Sequence, residues 1–466
     1  MSGADGPVTV GLDLGTGSAR ALAVAADGTV LGRGAQPLRS RRDGARHEQD
    51  PAAWWEAVAA ACREALAPLA AGRPVAAVAT CATSGTVLLV DRDGRPASAA
   101  LMYDDARAAE HARRLDLPAS WALPKLHWLL EERGDGARDG LRLAHQPDVV
   151  ARRLTGHAVP SDASHALKTG YDPGEERWPE STDDVAGVLP AVVAPGTQLG
   201  VVGTQAAQQT GLPAGTPVIA GMTDGCAAQI AAGALRPGDV NSVLGTTLVL
   251  KGCSPDRIED RAHGVYSHRA PDGGWLSGGA SSSGAGVLLT AFPDEDLDVL
   301  GRAAARHERT RVVAYPLVSR GERFPFAAPD AQAFMLGTPD GDGEHAAALM
   351  QGVALVERLC LEALERLGAP VAGEISLTGG ATRNARWSQL RADALGRDVR
   401  LPAQSESAFG MAILAAAAAG GEPLVDAARR MSHTAAGLEP RDAMRAHLDE
   451  QYERLTVELR RRGWLR

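Results

Sequence analysis

The stretch that decides the fold is "VGLDLGTGSARALAVAADGTVLGRG", residues 10–34. An apolar strand ends at Asp13, and a second strand rich in alanine and valine follows a short turn. The turn consists of Gly15, Thr16, Gly17 and Ser18. Backbone N–H groups in a glycine-rich turn converge on anionic oxygen, because the missing side chains allow a close approach. The pattern indicates a phosphate-binding hairpin, although a single turn of this kind is more often only a strand connection.

A second stretch repeats the pattern about half a chain later, in "RPGDVNSVLGTTLVLKG", residues 236–252. Here a strand enters Gly245, Thr246 and Thr247, and another apolar strand follows. Two such hairpins favour two related α/β domains, each offering a Gly-Thr turn to a shared cleft. We predict domains at 1–235 and 236–466, with the final helices free to pack back on the first domain.

Length and composition agree with two globular domains. The chain has 466 residues, which exceeds what one hydrophobic core usually supports. Hydrophobic residues make up 45% and charged residues 23%, as in ordinary globular proteins. The net charge of −9 argues against a nucleic-acid binder, because binding to a phosphate backbone needs an excess of basic residues.

The sequence also predicts a cytoplasmic protein without a membrane segment. The longest apolar run, residues 411–420, is far shorter than the roughly 20 residues that span a bilayer. The N-terminal "MSGADGPVTV" lacks the basic and apolar regions of a signal peptide. The five cysteines are widely spread and form no Cys-x-x-Cys pair, so we expect buried free thiols. They are Cys62, Cys81, Cys226, Cys253 and Cys360.

Local signals place several elements. Asp50 and Pro51 predict the N-cap and first turn of a helix that carries Trp54 and Trp55, which we expect to pack against a sheet. "PVAAVATC" and "TVLLVDRDG" predict strands. Residues 115–200 show only weak periodicity.

Asp224, in "AGMTDGCAAQIAAG", lies between a predicted strand and a predicted helix. Ligands of open α/β sheets bind at this end of the strands. The carboxylate is either an N-cap for the helix or a base that accepts the proton of a substrate hydroxyl. Asp13 is better placed for a metal than for the proton.

The stretch "LTGGATRNARWSQLRADAL" adds a third turn. Gly379 and Gly380 end a strand and Asn384 opens a helix, which suits a flat adenine and its ribose. Taken alone, a Gly-Gly turn before a helix is structural more often than not.

Together these motifs resemble the FGGY family of carbohydrate kinases, and the resemblance covers nearly the whole chain. They are "GLDLGTGSARA" at 11–21, "HEQDPAAWW" at 47–55, "GMTDG" at 221–225, "SVLGTT" at 242–247, "LTGGATRNARW" at 377–387 and "SESAFGMAILAAAA" at 405–418. The resemblance implies two α/β domains of the actin/hexokinase type, which are ribonuclease H-like, with a cleft between them. It also implies ATP and Mg²⁺ as cofactors, a small sugar as substrate, and a monomer or homodimer.

The resemblance also implies roles for single residues. Asp224 matches the catalytic base, and Asp13 matches the carboxylate near Mg²⁺ and the transferred phosphate; both also count as substrate and metal contacts. Ser84, Tyr103 and Asp104 fall where the family binds its sugar. The ATP-binding positions are Gly15, Thr16, Gly17, Ser18, Arg20, Gly245, Thr246, Thr247, Gly379, Gly380, Ala381, Asn384 and Trp387.

One departure concerns the substrate. Many members carry a Trp-x-Asp-x-Arg-like segment at the sugar, whereas this chain has "LMYDDARAAE" with Tyr103. The segments "GVYSHRAPDGGWLSGGASSSGAG" and "YPLVSRGERFPF" resemble a xylulose-kinase-like branch that phosphorylates D-ribulose. We expect D-ribulose first and D-xylulose second. Two alternative functions stay open. One is a non-catalytic sensor on the same fold, and the other is an ATPase that moves partner proteins; neither would phosphorylate a sugar.

Two polar segments allow simpler interpretations. In "SRGERF", the residues Arg320, Glu322 and Arg323 predict a solvated loop rather than a phosphate clamp. His165 and Lys168 fit either the sugar cleft or a surface loop.

Overall fold

The structure is a computed structural model that describes residues 6–70, 72–134 and 139–466. Half of the N-terminal stretch considered above for a signal peptide, residues 1–5, lies outside this description.

Within these ranges the strands, in chain order, are β1 (Val8–Leu14), β2 (Ser18–Ala25), β3 (Val30–Pro37), β4 (Arg41–Asp43), β5 (Arg46–Gln49), β6 (Val75–Ala82), β7 (Val87–Val90), β8 (Ala100–Leu101), β9 (Arg142–His145), β10 (Ser161–Asp162), β11 (Val192–Val193), β12 (Gln198–Val201), β13 (Pro217–Ile219), β14 (Val240–Leu244), β15 (Leu248–Ser254), β16 (Tyr266–Arg269), β17 (Trp275–Ser281), β18 (Val313–Tyr315), β19 (Phe334–Leu336), β20 (Ile375–Thr378), β21 (Val399–Pro402) and β22 (Thr434–Leu438). The α-helices are α1 (Pro51–Leu66), α2 (Ala109–Leu115), α3 (Ala122–Arg133), α4 (Gln146–Thr155), α5 (Ala163–Ala166), α6 (Thr204–Thr210), α7 (Asp224–Ala231), α8 (Gly286–Ala291), α9 (Leu297–Ala304), α10 (Gly341–Arg366), α11 (Ala385–Leu395), α12 (Ser407–Gly420), α13 (Leu424–Met431) and α14 (Asp442–Arg461). Short 3₁₀ helices span Leu167–Thr169, Glu180–Val188, Arg261–His263, Ala305–His307 and Gly380–Arg383.

Unit 1 comprises Met1–Gly233, His268–Gly273 and Glu406–His433. Its main sheet has the strand order β12-β13-β6-β1-β2-β3, in which β1 runs antiparallel to β2 and parallel to β6. A second sheet has the order β4-β5-β8-β7-β9. Helix α12 packs so closely on β1 that a Cβ atom at Gly11 would lie 1.7 Å from the carbonyl oxygen of Ala408, so only glycine fits there.

Unit 2 comprises Ala234–Ser267, Gly274–Ser405 and Thr434–Arg466. Its sheet has the strand order β17-β15-β14-β20-β21-β22, with β16 beside β17. The hairpin of β14 and β15 is antiparallel, and β14 runs parallel to β20. The long helix α10 is buried over most of its length and forms the centre of this core.

Both units use one arrangement of strands. In unit 1, β3, β2 and β1 form an antiparallel meander that continues in parallel to β6. In unit 2, β17, β15 and β14 form the same meander and continue in parallel to β20. The predicted architecture of two related α/β domains is confirmed. The boundary at 235 and 236 stays a prediction about where the functional domains divide.

Several local predictions are confirmed. Asp50 is the N-cap of α1 and accepts a hydrogen bond from the backbone N–H of Ala52 at 2.9 Å. Trp54 and Trp55 are buried against the sheet. All five cysteines are buried and free. Of the helices in the described part of the chain, none is long and apolar enough to cross a membrane.

In its described part, the stretch of weak periodicity contains the α-helices α3, α4 and α5, which the sequence did not indicate. Helix α4 begins with a capping box in which His145 is the N-cap and Asp148 accepts a hydrogen bond from its backbone N–H at 2.8 Å. Histidine is not a usual N-cap residue. The start of α4 therefore gave no recognisable signal in the sequence.

Candidate active site

Asp13 and Asp224 lie at the same edge of the main sheet in unit 1. Asp13 is near the end of β1, and Asp224 follows β13 as the first residue of α7. A parallel bridge between Ala82 and Thr223 joins the end of β6 to the start of α7. Because β1, β6 and β13 are parallel neighbours, their carboxyl ends share one edge, where ligands of such sheets bind.

The pKa of Asp13 reflects its burial and the nearby Asp224 carboxylate. Its side chain is buried, and desolvation followed by repulsion from Asp224 raises its pKa to about 6. Arg20, whose guanidinium lies 3.8 Å from the carboxylate, acts in the opposite direction, while Glu406 adds to the repulsion. The site thus gathers negative charge that a cation would relieve.

Asp224 is held by its backbone. Its Oδ1 accepts a hydrogen bond from the N–H of Gly225 at 2.7 Å, and its carbonyl oxygen accepts one from the Ser407 hydroxyl at 3.1 Å. The N-cap of α7 is Thr223, so the interpretation of Asp224 as the N-cap is wrong. The other interpretation, a base for a substrate hydroxyl, stays a prediction.

Two residues that the sequence analysis missed position the start of α7. The Ser164 hydroxyl accepts a hydrogen bond from the backbone N–H of Thr223 at 3.1 Å. Nδ1 of the buried His268 lies 3.2 Å from the same hydroxyl. Ser164 and Thr223 are 59 positions apart in the chain, and His268 is 104 positions from Ser164, so no local pattern indicated the contact.

The first glycine-rich turn has a support that the sequence analysis also missed. The turn closes with a hydrogen bond from the N–H of Gly15 to the carbonyl of Ser18 at 3.1 Å. Gln49 donates from Nε2 to the carbonyl of Thr16 at 2.6 Å, and Trp54 donates from its indole to Gln49 Oε1 at 2.7 Å. Trp54 therefore packs in the core and also orients the residue that holds the turn.

The predicted sugar-binding residues lie on two segments of unit 1. Ser84 follows β6, and its hydroxyl is buried without a hydrogen-bond partner among the described residues. Tyr103 follows β8 and exposes 38% of its surface. Asp104 instead bonds to His47 and to Arg42, the latter at 2.9 Å. Desolvation opposes its ionisation, but these bonds outweigh it and lower the pKa of Asp104.

Next to Asp104 is a buried ion-pair network. Arg107 contacts Asp105 at 2.7 Å and Glu48 at 2.6 Å. Asp105 also accepts a hydrogen bond from the backbone N–H of His47 at 2.7 Å. Asp105 and Arg107 thus fix the backbone of the segment "LMYDDARAAE", whose Tyr103 side chain is exposed.

The contacts of His165 and Lys168 bear on whether these residues belong to the sugar cleft or to a surface loop. His165 is fully buried, with Nδ1 2.7 Å from Asp162 and Nε2 3.2 Å from the carbonyl oxygen of Ala82, so it is not part of a surface loop. Lys168 donates to the carbonyl of Ser84 at 3.4 Å. Both residues thus support the segment around Ser84.

In unit 2 the two remaining turns adjoin. Gly379 has φ +91°, and a Cβ atom there would lie 2.5 Å from the carbonyl oxygen of Leu244, immediately before the Gly245 turn. That turn closes with a bond from the N–H of Gly245 to the carbonyl of Thr247 at 3.1 Å. The predicted nucleotide residues of this unit therefore lie at one edge of its sheet, together with Thr246, Gly380 and Ala381.

Asn384 and Trp387 begin α11. Asn384 is its N-cap, as predicted, and accepts a hydrogen bond from the N–H of Trp387 at 3.0 Å. The Trp387 ring is buried and donates to the carbonyl of Met350 at 3.1 Å. Its side chain is thus part of the core of unit 2.

The expectation of a solvated loop is wrong for Glu322. This carboxylate is only 3% exposed and accepts hydrogen bonds from the Ser281 hydroxyl at 2.8 Å, the Ser282 N–H at 2.7 Å and the Tyr315 hydroxyl at 2.9 Å. Burial nevertheless raises its pKa. Glu322 thus fixes the loop that follows β17, a long-range role that composition does not indicate.

The carboxylates of unit 1 fit the Mg²⁺ that the motifs imply. Hard oxygen ligands suit this ion, which usually takes one or two protein carboxylates together with waters and substrate phosphates. In the described part of the chain, no group of three or more potential ligands forms a closed metal site. Asp13 and Asp224, whose mutual repulsion raises the pKa of Asp13, match the open kind of site.

The raised pKa of Asp13 gives a stability prediction for the metal-free protein. The folded state binds this proton more tightly than the unfolded chain, so the stabilisation by protonation is fully present below pH 3.8 and is lost as the pH rises through about 6. Asp13→Asn should therefore be more stable than the wild type by about 3 kcal/mol at pH 7, and the difference should vanish near pH 4. Urea unfolding in EDTA at several pH values measures it.

Mg²⁺ supplies the control for this prediction. Added Mg²⁺ should raise the wild-type melting temperature more than that of Asp13→Asn, because only the wild type keeps the carboxylate. A variant that is less stable than the wild type at pH 7 would contradict the raised pKa.

Comparison with known proteins supplies the remaining evidence. The model of the FGGY family of carbohydrate kinases, N-terminal domain, matches residues 8–231, and that of the C-terminal domain matches residues 240–419. A xylulose kinase of Streptomyces coelicolor is 32% identical over 94% of this chain and 93% of its own length. An autoinducer-2 kinase of Yersinia enterocolitica is 28% identical over 89% of this chain and 87% of its own. The crystal structure of a "xyloylose kinase" from Brucella ovis aligns with a TM-score of 0.88 and 25% identity over 97% of this chain and 98% of that one.

Proposed function

The chain belongs to the FGGY family of carbohydrate kinases, and from this membership we propose that it transfers the γ-phosphoryl group of ATP to the terminal hydroxyl of a ketopentose. The observation that carries the proposal is the pairing of Asp13 and Asp224 at the carboxyl edge of the parallel strands in unit 1. In this proposal Asp13 holds the metal and Asp224 accepts the proton.

In the proposed reaction Asp224 is the general base. Its carboxylate accepts the proton of the terminal hydroxyl while that oxygen attacks the γ-phosphorus and ADP leaves. The contacts of Gly225 and Ser407 fix the start of α7, so the carboxylate is positioned before the sugar arrives. Asp13, with Asp224 beside it, would hold Mg²⁺, and the ion would supply neutralisation of the charge that develops on the phosphate oxygens.

The proposed nucleotide contacts follow the three turns. Gly15, Thr16, Gly17, Ser18 and Arg20 of unit 1, and Gly245, Thr246 and Thr247 of unit 2, would donate to phosphate oxygens. Gly379, Gly380, Ala381 and Asn384 would receive the adenosine, and the closed core packing of Trp387 suits a role in shaping that seat. Gln49 would hold the first turn in place through its bond to the Thr16 carbonyl.

The identity of the ketopentose is the finer part of the proposal. D-xylulose and D-ribulose differ only in the configuration at one carbon, so one or two hydrogen bonds decide between them. The sequence motifs put D-ribulose first, but we propose the reverse order: D-xylulose is the first candidate, because the Streptomyces relative that covers most of the chain is named a xylulose kinase. D-ribulose is the second, because Tyr103 stands where many family members have tryptophan and two further segments resemble the D-ribulose branch.

A substrate panel tests the function. The purified protein with MgATP is given D-xylulose, D-ribulose, other ketoses and glycerol, and ADP release is coupled to NADH oxidation. We expect one ketopentose to exceed glycerol at least tenfold in kcat/KM, since a site built to bond several hydroxyls rejects acceptors that leave its polar groups unpaired. ADP release unaffected by any sugar would favour a partner-moving ATPase, and binding without turnover would favour a sensor.

A further inference from the structure

Lys125, on α3 in unit 1, is a fully buried cation. Its Nζ donates to the carbonyl oxygens of Tyr103 at 2.9 Å, Gly85 at 3.1 Å and Ser120 at 3.2 Å, and that of Trp121 lies at 3.5 Å. Within the described ranges, no carboxylate lies close enough to Nζ to form a salt bridge. The ammonium group is therefore held by backbone dipoles and not by an opposite charge.

Every donor of the ammonium group has an acceptor. An ammonium group has three N–H donors and no acceptor, and three carbonyls lie within 3.2 Å of Nζ, with that of Trp121 more distant at 3.5 Å. Burying such a group costs free energy unless every donor is paired. All three donors have close acceptors only when the three nearer carbonyls are in place, so the lysine joins their positions.

Two of these carbonyls belong to the segments that carry the proposed sugar contacts. Gly85 directly follows Ser84, and Tyr103 accepts the shortest of the bonds. The Gly85 segment is also packed tightly against Ser120, because a Cβ atom at Gly85 would lie 2.5 Å from the carbonyl oxygen of Ser120. Replacing Lys125 would therefore change the positions of both segments together.

We propose that Lys125 is a positioning residue whose single ammonium group fixes the Ser84 and Tyr103 segments relative to each other and so sets the affinity for the acceptor sugar. The inference rests on the proposed function, since it assumes that these segments contact the sugar. Lys125 itself is buried, and its ammonium group bonds to backbone carbonyls of these segments.

A pH dependence follows from the count of donors. Burial, with a smaller contribution from Lys168, lowers the pKa of Lys125 to about 7, while Asp105 and Asp104 act in the opposite direction. Above that pH the neutral amine has only two donors for the three nearer carbonyls. The KM for the sugar should therefore rise between about pH 6.5 and 8.5, while the KM for ATP stays flat.

Lys125→Met tests the inference, because methionine keeps the length of the side chain but removes its donors. We expect a rise of about tenfold or more in the KM for the ketopentose, a change of less than about twofold in the KM for ATP, and no remaining pH dependence of the sugar KM. The matched control is Leu126→Ala, a truncation of the neighbouring buried residue on α3. It should lower stability while leaving both KM values within about twofold of the wild type.

The outcomes separate this inference from the proposed function. A wild type that phosphorylates no ketopentose ends both. An active wild type whose sugar KM is unchanged by Lys125→Met, or changed equally by Leu126→Ala, ends the inference alone. If Lys125→Met does not fold, the wild-type pH profile decides: a sugar KM that is flat, or that moves in step with the ATP KM, overturns the proposal.

Discussion

Asp224→Asn should lose roughly 10²- to 10⁴-fold in kcat, the usual worth of a general base. Asparagine has nearly the same shape but cannot accept the proton of the attacking hydroxyl. The backbone contacts of Asp224 with Ser407 and of Thr223 with Ser164 do not involve the carboxylate, so the variant should fold. Steady-state kinetics with the preferred ketopentose and MgATP give the value.

The chain offers a matched control for this substitution. Asp272 caps α13 in the same unit, where its carboxylate accepts hydrogen bonds from the N–H groups of Leu424 at 3.0 Å and Val425 at 3.1 Å. Asp272→Asn should keep kcat near the wild-type value. In Asp224→Asn, ATP binding measured by calorimetry should persist, and turnover within a few fold of the wild type would show that another group takes the proton.

Arg391→Met should lower the free energy of unfolding of unit 2 by about 3–5 kcal/mol, the usual effect of removing one partner of a buried ion pair. Arg391 and Glu357 are both fully buried and form two contacts, at 2.6 and 2.9 Å. Without the guanidinium, the Glu357 carboxylate stays buried without its counter-charge. Urea unfolding monitored by tryptophan fluorescence and circular dichroism measures the loss.

The same substitution should also weaken nucleotide binding. Arg391 donates to the carbonyl of Ser242 at 3.2 Å and to its hydroxyl at 3.0 Å, and Ser242 lies on β14 three residues before Gly245. We therefore expect a higher KM for ATP and an unchanged KM for the sugar. Arg445→Met, in an exposed pair with Asp449, is the control and should leave the unfolding midpoint nearly unchanged. An equally small effect of Arg391→Met would contradict the assignment.

What could be predicted from the sequence was carried by short patterns. The glycine-rich turns, the cap at Asp50 and the cap at Asn384 are signals within a few residues, because a turn or a helix end is decided by local backbone geometry. Their order along the chain was specific enough to indicate the family and the architecture of two α/β domains.

What could not be predicted depends on partners that are distant in the chain. Gln49 reaches Thr16 across 33 positions, Lys125 reaches Gly85 across 40, and Glu322 reaches Ser281 across 41. A buried lysine or glutamate looks like a surface residue in composition, since most such residues are exposed. Only the tertiary structure shows that Gln49 supports the first glycine-rich turn, Lys125 the Ser84 segment and Glu322 the loop after β17.

The division of the chain into units has a consequence for how the protein is made. Gly11 of β1 is packed against Ala408, and residues Glu406–His433 belong to the unit that contains the N-terminus. During translation, helix α12, which packs on β1, emerges from the ribosome only when more than 400 residues have been synthesised. The first unit therefore cannot complete its core before the second has been almost entirely synthesised, and a fragment ending near residue 235 would expose an apolar sheet face to chaperones and aggregation.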